Sequence, residues 1–194
     1  MPVYNAPIDV TQFSVGAVPS DHQLAAWTSD PAYLQGNILS IGGGTLQVAR
    51  LKTTNLSQLI NPGAVTNIIF YLTSGGITLT SGRNFAGLYS DAGVLLAQTA
   101  DMSSTWASTG LKTMALSVQV PVTAWTWYKV AWFNNGLTAP SLARGTNLDS
   151  SVLNAGLSGS TLRWSTADTG LTTTLPANIG TQTPGANAWW CALS

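Results

Sequence analysis

The chain has 194 residues, only 7% of which are charged, and its seven basic residues balance seven Asp without a single Glu. Soluble domains typically carry about 25% charged residues. No Lys or Arg cluster is present in the sequence, which disfavours the salt-dependent phosphate attraction of a nucleic-acid-binding protein. The apolar runs are far shorter than the roughly 20 residues that span a bilayer. We therefore expect neither a nucleic-acid partner nor insertion into a membrane.

The low charge also bears on assembly. A monomeric small domain usually keeps charged side chains on about a quarter to a third of its surface. The deficit predicts that copies of the chain, or neighbouring proteins, cover part of this surface. Residues 1–4 have neither the basic start nor the apolar segment of a secretory signal, so we expect synthesis in the cytoplasm without a signal peptide.

Three prolines mark the N-terminal part of the chain. Pro2, Pro7 and Pro19 disfavour a helix there, so residues 1–40 are predicted to form an extended arm. The arm holds at most a short helical turn, around residues 22–27, with Asp21 as its cap. An arm of this kind can lie on a neighbouring subunit, and together with the low charge it predicts a symmetric homo-oligomer, for which we expect a trimer.

Residues 41–194 are predicted to form one β-sandwich domain. In the first strand Leu46 and Val48 face one side and Gln47 and Ala49 the other, whereas residues 65–73 are apolar on both faces and are expected at the centre of a sheet. Strands at spacings near ten residues predict an all-β fold, an antiparallel two-sheet sandwich that is jelly-roll-like. The predicted strands are 45–52, 65–73, 77–80, 85–89, 94–99, 112–120, 127–134, 160–164 and 188–193.

The clearest local prediction is a hairpin. Two short apolar runs, 85–89 and 94–99, are separated by Ser90-Asp91-Ala92-Gly93, and Gly93 can take a positive φ without steric cost. Asp side chains in such turns usually accept local backbone N–H groups, so turn capping accounts for Asp91 and also for Asp149. No carboxylate pair is recognisable as the machinery of a glycoside hydrolase.

No cluster predicts catalysis or a resident cofactor. Ser20, Asp21 and His22 are the residue types of a catalytic triad, but adjacent side chains point in different directions and no G-x-S-x-G turn is present. The chain has one His and one Cys, too few for a typical transition-metal site, and Cys191 lies in an apolar segment that predicts a buried, inert thiol. Calcium held by Asp and backbone carbonyls in a loop is the metal alternative left open.

The tryptophans are the side chains suited to recognition, because an exposed indole can stack on a sugar ring. Trp127 and Trp132 lie within one apolar strand and are expected in the core, next to Lys129, whose stem can extend past apolar neighbours to solvent. Trp106 and Trp125 stand in turn-like contexts. They are the candidates for exposure, and for contact with glycan or with a partner protein.

Residues 84–145 follow one order of features: a hairpin, Trp-bearing strands and an Ala-Arg-Gly ending. The motifs are Asn84-Phe85-Ala86-Gly87-Leu88-Tyr89, Asp91, Gly93, Leu95-Leu96-Ala97, Trp106, Ser108-Thr109-Gly110-Leu111-Lys112-Thr113, Trp127-Tyr128, Ala139-Pro140 and Ala143-Arg144-Gly145. This segment resembles a β-sandwich segment of appendage proteins of tailed bacteriophages, especially minor tail and similar virion proteins of phages that infect actinobacteria. Residues 46–51 and 65–75 fit the same pattern more loosely.

The resemblance implies a non-enzymatic virion protein with a jelly-roll-like domain, present in several copies on the tail or as a decoration of the head. Its partners would be copies of itself and other virion proteins, with host attachment through surface glycan as a further role. The resemblance brings no catalytic residues and no cofactor. The alternative is a carbohydrate-binding module that recognises cell-surface glycan through an exposed Trp, and an enzyme is the third hypothesis.

Overall fold

The structure is a computed structural model that describes residues 17–34, 36–40, 42–59, 62–145 and 149–194. Within these residues strands dominate, and helix is limited to the short α1 (Ser150–Asn154) and isolated 3-10 turns. The strands are β1 (Ala26–Trp27), β2 (Gly36–Leu39), β3 (Leu46–Lys52), β4 (Ala64–Ser74), β5 (Ile77–Leu79), β6 (Phe85–Ser90), β7 (Leu95–Gln98), β8 (Gly110–Pro121), β9 (Trp127–Phe133), β10 (Gly136–Thr138), β11 (Ser141–Arg144), β12 (Trp164–Ala167), β13 (Thr183–Pro184) and β14 (Cys191–Leu193).

The first sheet is built around β4, which is antiparallel to each of its neighbours. Strand β8 pairs with one edge of β4, while β14 and β11 follow one another along the opposite edge. Strand β1 extends the sheet beyond β14, and β2 extends it beyond β11. The prediction of a central strand at 65–73 is confirmed.

The second sheet has the strand order β13-β12-β3-β9-β6-β7, again antiparallel throughout. Its β6 and β7 are the predicted hairpin, and Gly93 in the turn has a φ of 87°. Strands β5 and β10 pair with each other as a separate two-stranded ribbon. The all-β, antiparallel two-sheet sandwich is therefore confirmed, whereas the jelly-roll-like connectivity stays a prediction.

The main core lies between the two sheets and follows the alternation of the strands. From the first sheet Ile68, Phe70 and Leu72 point inward, and from the second sheet Val130 and Trp132 meet them. Phe70 and Trp132 are in ring contact, with centroids 5.0 Å apart. Burial of large apolar and aromatic side chains on both inner faces is what holds such a sandwich together.

The outer faces are partly covered as well. On the second sheet the loop over residues 168–180 places Leu175 against Leu46, Val48 and Phe133. On the first sheet the segment from Leu24 to Leu34 packs against Ile69 and Trp190. Leu46 and Val48 thus share one face and Ala49 lies on the other, as the sequence predicts.

The sequence predicts an extended arm to residue 40, but part of that segment belongs to the sandwich, since β1 and β2 pair into the first sheet. The prediction of a helical turn around residues 22–27 is wrong, because a 3-10 turn occupies Pro19–His22 instead. The Asp21 carboxylate accepts the N–H of Val18 at 2.9 Å. Pro19 fits there because its fixed φ suits the first position of the turn. Pro2 and Pro7 lie outside the described residues.

The segment after residue 148 also differs from the prediction. A helical turn, α1, is capped by Asp149, whose carboxylate accepts the N–H of Ser151 at 2.8 Å. The strand predicted at 160–164 is displaced to Trp164–Ala167, where it pairs with β3. Asn154 stabilises this junction, because its buried side chain donates to the Trp164 carbonyl and accepts the Arg163 N–H.

Among the described residues, no helix is both long and apolar enough to cross a bilayer.

Candidate functional site

Trp106, one of the two predicted recognition residues, is not exposed. Its side chain has 2% of its surface accessible and packs against Phe70, with ring centroids 6.3 Å apart. The indole N–H points at the sulfur of Met114 at 3.1 Å. The turn that carries Trp106 folds inward against the sandwich, and Gly76 N–H donates to its carbonyl. The predicted exposure of Trp106 is therefore wrong.

Trp125 is exposed as predicted, at 63% of its surface. Its backbone is in the left-handed region, with a φ of 60°, which is unfavourable for a bulky side chain. Thr53 holds the turn in place: its hydroxyl donates to the Thr123 carbonyl at 2.6 Å and accepts the Thr126 N–H at 2.9 Å. Thr53 thus bonds the residues on both sides of Trp125 in the chain. A strained backbone that carries an exposed aromatic side chain is often found at a ligand-binding site.

A cleft of about 300 Å³ lies beside Trp125, and we call it the Trp125 cleft. It forms where the end of β3 and the start of β9 meet the segment around β1. Its aromatic walls are Trp125, Trp127 and Trp27, and its polar lining includes Lys52, Thr54 and Arg163. Aromatic surface combined with a few polar groups is typical of small-ligand sites.

The register of β3 against β9 creates the basic side of this region. Lys52 is paired with Trp127 across the two strands, and Arg50 is paired with Lys129. The Arg50 guanidinium lies 4.3 Å from the Trp127 ring centroid, and the Lys52 ammonium lies 5.9 Å from it. Trp127 is thus half-buried at the cleft, not in the core as predicted. Cations over its face help to hold the indole in position.

Behind Trp127, an ion pair anchors the basic side chains. Arg50 contacts the Asp91 carboxylate with two hydrogen bonds, of 2.6 and 2.8 Å. The Asp91 carbonyl accepts the Lys129 ammonium at 2.6 Å. The hydrogen bonds from Arg50 hold the pKa of Asp91 below its usual range, and burial lowers the pKa of Lys129. Asp91 is therefore more than a turn cap, and Lys129 is fully buried instead of reaching solvent.

Two polar atoms at the cleft are buried without a hydrogen-bond partner among the described residues: the Thr54 hydroxyl and Nε of Arg163. Arg163 donates from Nη2 to the Thr28 carbonyl at 3.0 Å and lies 4.6 Å from the Trp164 ring centroid. Burial, with the nearby Arg50 charge, lowers the pKa of Arg163. A buried polar group without a partner normally costs stability. Such atoms are not confined to the cleft, since Gln98 Oε1 and Trp189 Nε1 also lack a partner among the described residues.

The other sequence candidates offer no second site. Asp21 caps a backbone N–H and His22 lies against Trp27, with ring centroids 5.3 Å apart, so Ser20, Asp21 and His22 do not form a triad. The Cys191 thiol is buried as predicted, and burial raises its pKa. In the part of the chain that the structure describes, no group of three or more His, Cys or acidic side chains is gathered for a metal ion.

Sequence reasoning found Trp125 but missed the groups around it. Arg50 and Lys52 are two residues apart and therefore share one face of β3. An alignment of β3 with β9 would have placed Trp127 opposite Lys52 on that face. Arg163 reaches the cleft through long-range packing, which leaves no local pattern, whereas Thr54 follows directly after β3. The absence of a Lys or Arg cluster in the sequence did not exclude a cluster in space.

Comparison with known proteins gives no family to which the chain can be assigned: no protein-family model matches it, and no curated protein sequence matches it either.

Proposed function

We propose that the chain is a non-enzymatic structural protein of a phage virion, on the tail or as a head decoration, and that it assembles with copies of itself. The proposal that the chain self-assembles is supported by several apolar side chains that are exposed on regular strands. Leu111 and Val118 on β8 are 61% and 57% exposed, and Leu137 on the small ribbon is 79% exposed. The virion part rests on the resemblance of residues 84–145.

The outer face of the first sheet adds a surface suited to another copy. Tyr71 and Leu111 border an apolar groove of about 430 Å³ whose floor includes Ile69 and Trp190. Large exposed apolar patches are uncommon on monomers and typically mark interfaces. The groove is lined mostly by apolar and aromatic side chains, so another copy that presents the same apolar face is the simplest partner to cover it.

Sedimentation of the full chain tests the assembly. We expect a discrete oligomer, a trimer, at micromolar concentration, and dissociation when Leu111 and Val118 are both changed to Lys. A matched control, Val152→Lys, changes an apolar residue of the same 57% exposure on α1 and should leave the oligomer intact. A wild-type chain that stays monomeric at high concentration would overturn the assembly proposal. Peptides of the chain should also be found in purified particles of the parent phage.

The second candidate function is glycan recognition, and the Trp125 cleft favours it. An exposed indole beside a half-buried one, with hydroxyl and cationic side chains next to them, provides both the apolar surface and the hydrogen-bonding groups that a sugar ring requires. A glycan array with wild type and Trp125→Ala tests it. Tyr33→Ala is the control, since Tyr33 is equally exposed, at 65%, and does not line the cleft. Sugar signals that survive Trp125→Ala would place recognition elsewhere.

A further inference from the structure

We propose that the Trp125 cleft binds a sugar that carries an anionic group, either a carboxylate or a phosphate. The inference rests on the glycan-recognition candidate and names the class of ligand. It is carried by an imbalance of charge at the cleft, where basic side chains gather although the chain as a whole has no net charge.

Four of the seven basic residues lie at or directly behind the cleft. Lys52 and Arg163 line it, while Arg50 and Lys129 stand behind Trp127 and contact Asp91. These four side chains carry four positive charges and Asp91 carries one negative charge, so the group has an excess of three positive charges. Within the described residues, Asp91 is the acid that pairs with this group.

The acids nearest to the cleft in sequence form no ion pair with its cations among the described residues. Asp21 accepts the Val18 N–H at 2.9 Å, and Asp30 accepts the N–H groups of Ala32 and Ala17. Lys52 and Arg163 are therefore the two cations at the cleft that have no carboxylate partner among the described residues.

Arg163 is the stronger of the two indications. Taking a guanidinium out of water is costly unless its N–H groups find acceptors, and a carboxylate or phosphate is the acceptor that suits it best. Here Nη2 has the Thr28 carbonyl, but Nε has no partner among the described residues. An anionic group in the cleft would supply the opposite charge for Arg163 and Lys52, both of which line it.

The size of the cleft and its aromatic walls favour a sugar over nucleic acid. A volume of about 300 Å³ is at the lower end for ligand pockets, enough for one or two sugar rings against Trp125 and Trp127. Nucleic-acid binding draws on a longer series of cations, since proteins that bind DNA tightly neutralise about six to ten phosphates. Two unpaired cations in a short cleft fit one anionic substituent.

Calorimetric titration of the full chain with four probes tests the inference: methyl glucuronide, methyl glucoside, glucose 6-phosphate and a ten-nucleotide thymidine strand. The glucoside is the matched neutral probe for the glucuronide. We expect at least one of the two anionic sugars to bind about tenfold more tightly than the glucoside, the effect of one hydrogen-bonded charge. The tighter of the two identifies the anion as carboxylate or phosphate.

Lys52→Gln should reduce that preference without loss of folding, because Lys52 is exposed and is one of the two cations that line the cleft, while Arg163 stays in place. Lys112→Gln is the control, since Lys112 donates to Ser108 away from the cleft and should leave the preference unchanged. Equal affinity for charged and neutral sugars would overturn the anionic inference but leave glycan recognition standing. Failure of all three sugars would overturn both, and tight binding of the thymidine strand alone would assign the cleft to nucleic acid instead.

Discussion

The surroundings of Trp106 and of Trp125 differ in every respect that bears on stability. At Trp106 the ring is buried, its N–H faces the Met114 sulfur and Phe70 packs against it. At Trp125 the ring is 63% exposed, the backbone is strained and polar atoms nearby lack partners among the described residues. The first region contributes to folding through packing, whereas the second keeps features that stability alone would remove.

The contrast indicates where binding is to be sought in a charge-poor sandwich. Aromatic content alone is no guide, since most of the tryptophans serve the core. The combination at Trp125 is more informative, because backbone strain, an exposed indole and unpaired polar atoms of lining residues occur there together.

The largest expected effect on the free energy of unfolding is at the buried Trp106. Trp106→Ala should lower the free energy of unfolding by about 3–5 kcal/mol, because it leaves a cavity next to Phe70 and Met114. Trp125→Ala should change it by less than about 1 kcal/mol, since the side chain is mostly in water. Chemical denaturation of the two variants measures the difference. Equal losses would remove the distinction between the two regions.

The ion pair behind the cleft should give the next largest effect. Asp91→Asn is expected to cost about 1–3 kcal/mol, less than a fully buried pair because the Asp91 side chain is 43% exposed. Its lowered pKa fixes the sign of the pH dependence: the stabilisation is present above the ordinary carboxyl pKa near 3.9 and is lost as the pH falls through the folded-state value.

Acid titration of stability tests this assignment. The gap between wild type and Asp91→Asn should be constant at neutral pH and should close below about pH 4. A gap that persists undiminished at the lowest accessible pH would show that the charge of Asp91 is not what stabilises the Arg50 side of the cleft.

Two neighbouring threonines give a matched pair within the cleft itself. The Thr53 hydroxyl donates to the Thr123 carbonyl and accepts the Thr126 N–H in the turn that carries Trp125, whereas the Thr54 hydroxyl is buried without a partner in the described structure. Thr53→Val should cost about 1–3 kcal/mol, while Thr54→Val should be neutral or stabilising by about 1 kcal/mol. Thermal unfolding compares them, and a substantial loss for Thr54→Val would mean that its hydroxyl is satisfied in solution.

The smallest effect is expected at the strained turn. Asn tolerates the left-handed region that Trp125 occupies, so Trp125→Asn should raise the free energy of unfolding by about 0.5 kcal/mol while it removes the stacking surface. Calorimetric unfolding, together with binding to a glycan array, measures the two quantities. A variant that is less stable and still binds would contradict both parts of the expectation.

The strands of the sandwich were predictable because alternation and turn glycines are local signals, as in β3, β4 and the hairpin at Gly93. Burial of Trp106 was not, since a turn context does not say whether the turn folds over the core. The basic side of the cleft depends on the register of β3 against β9, and Arg163 reaches it through contacts distant in sequence, such as its hydrogen bond to the Thr28 carbonyl. Such placements follow from tertiary packing, which a single sequence does not encode locally.

The central claim is that recognition takes place at Trp125 and Trp127 and not at the buried tryptophans. Nuclear magnetic resonance of the indole N–H groups during titration with the tighter-binding of the two anionic sugars, methyl glucuronide or glucose 6-phosphate, tests it most directly, because each of the eight tryptophans gives its own signal. The account predicts saturable shifts of the Trp125 and Trp127 signals, while the signals of Trp106 and Trp132 stay in place. Unchanged Trp125 and Trp127 signals at saturating sugar, or equal shifts at the buried tryptophans, would contradict it.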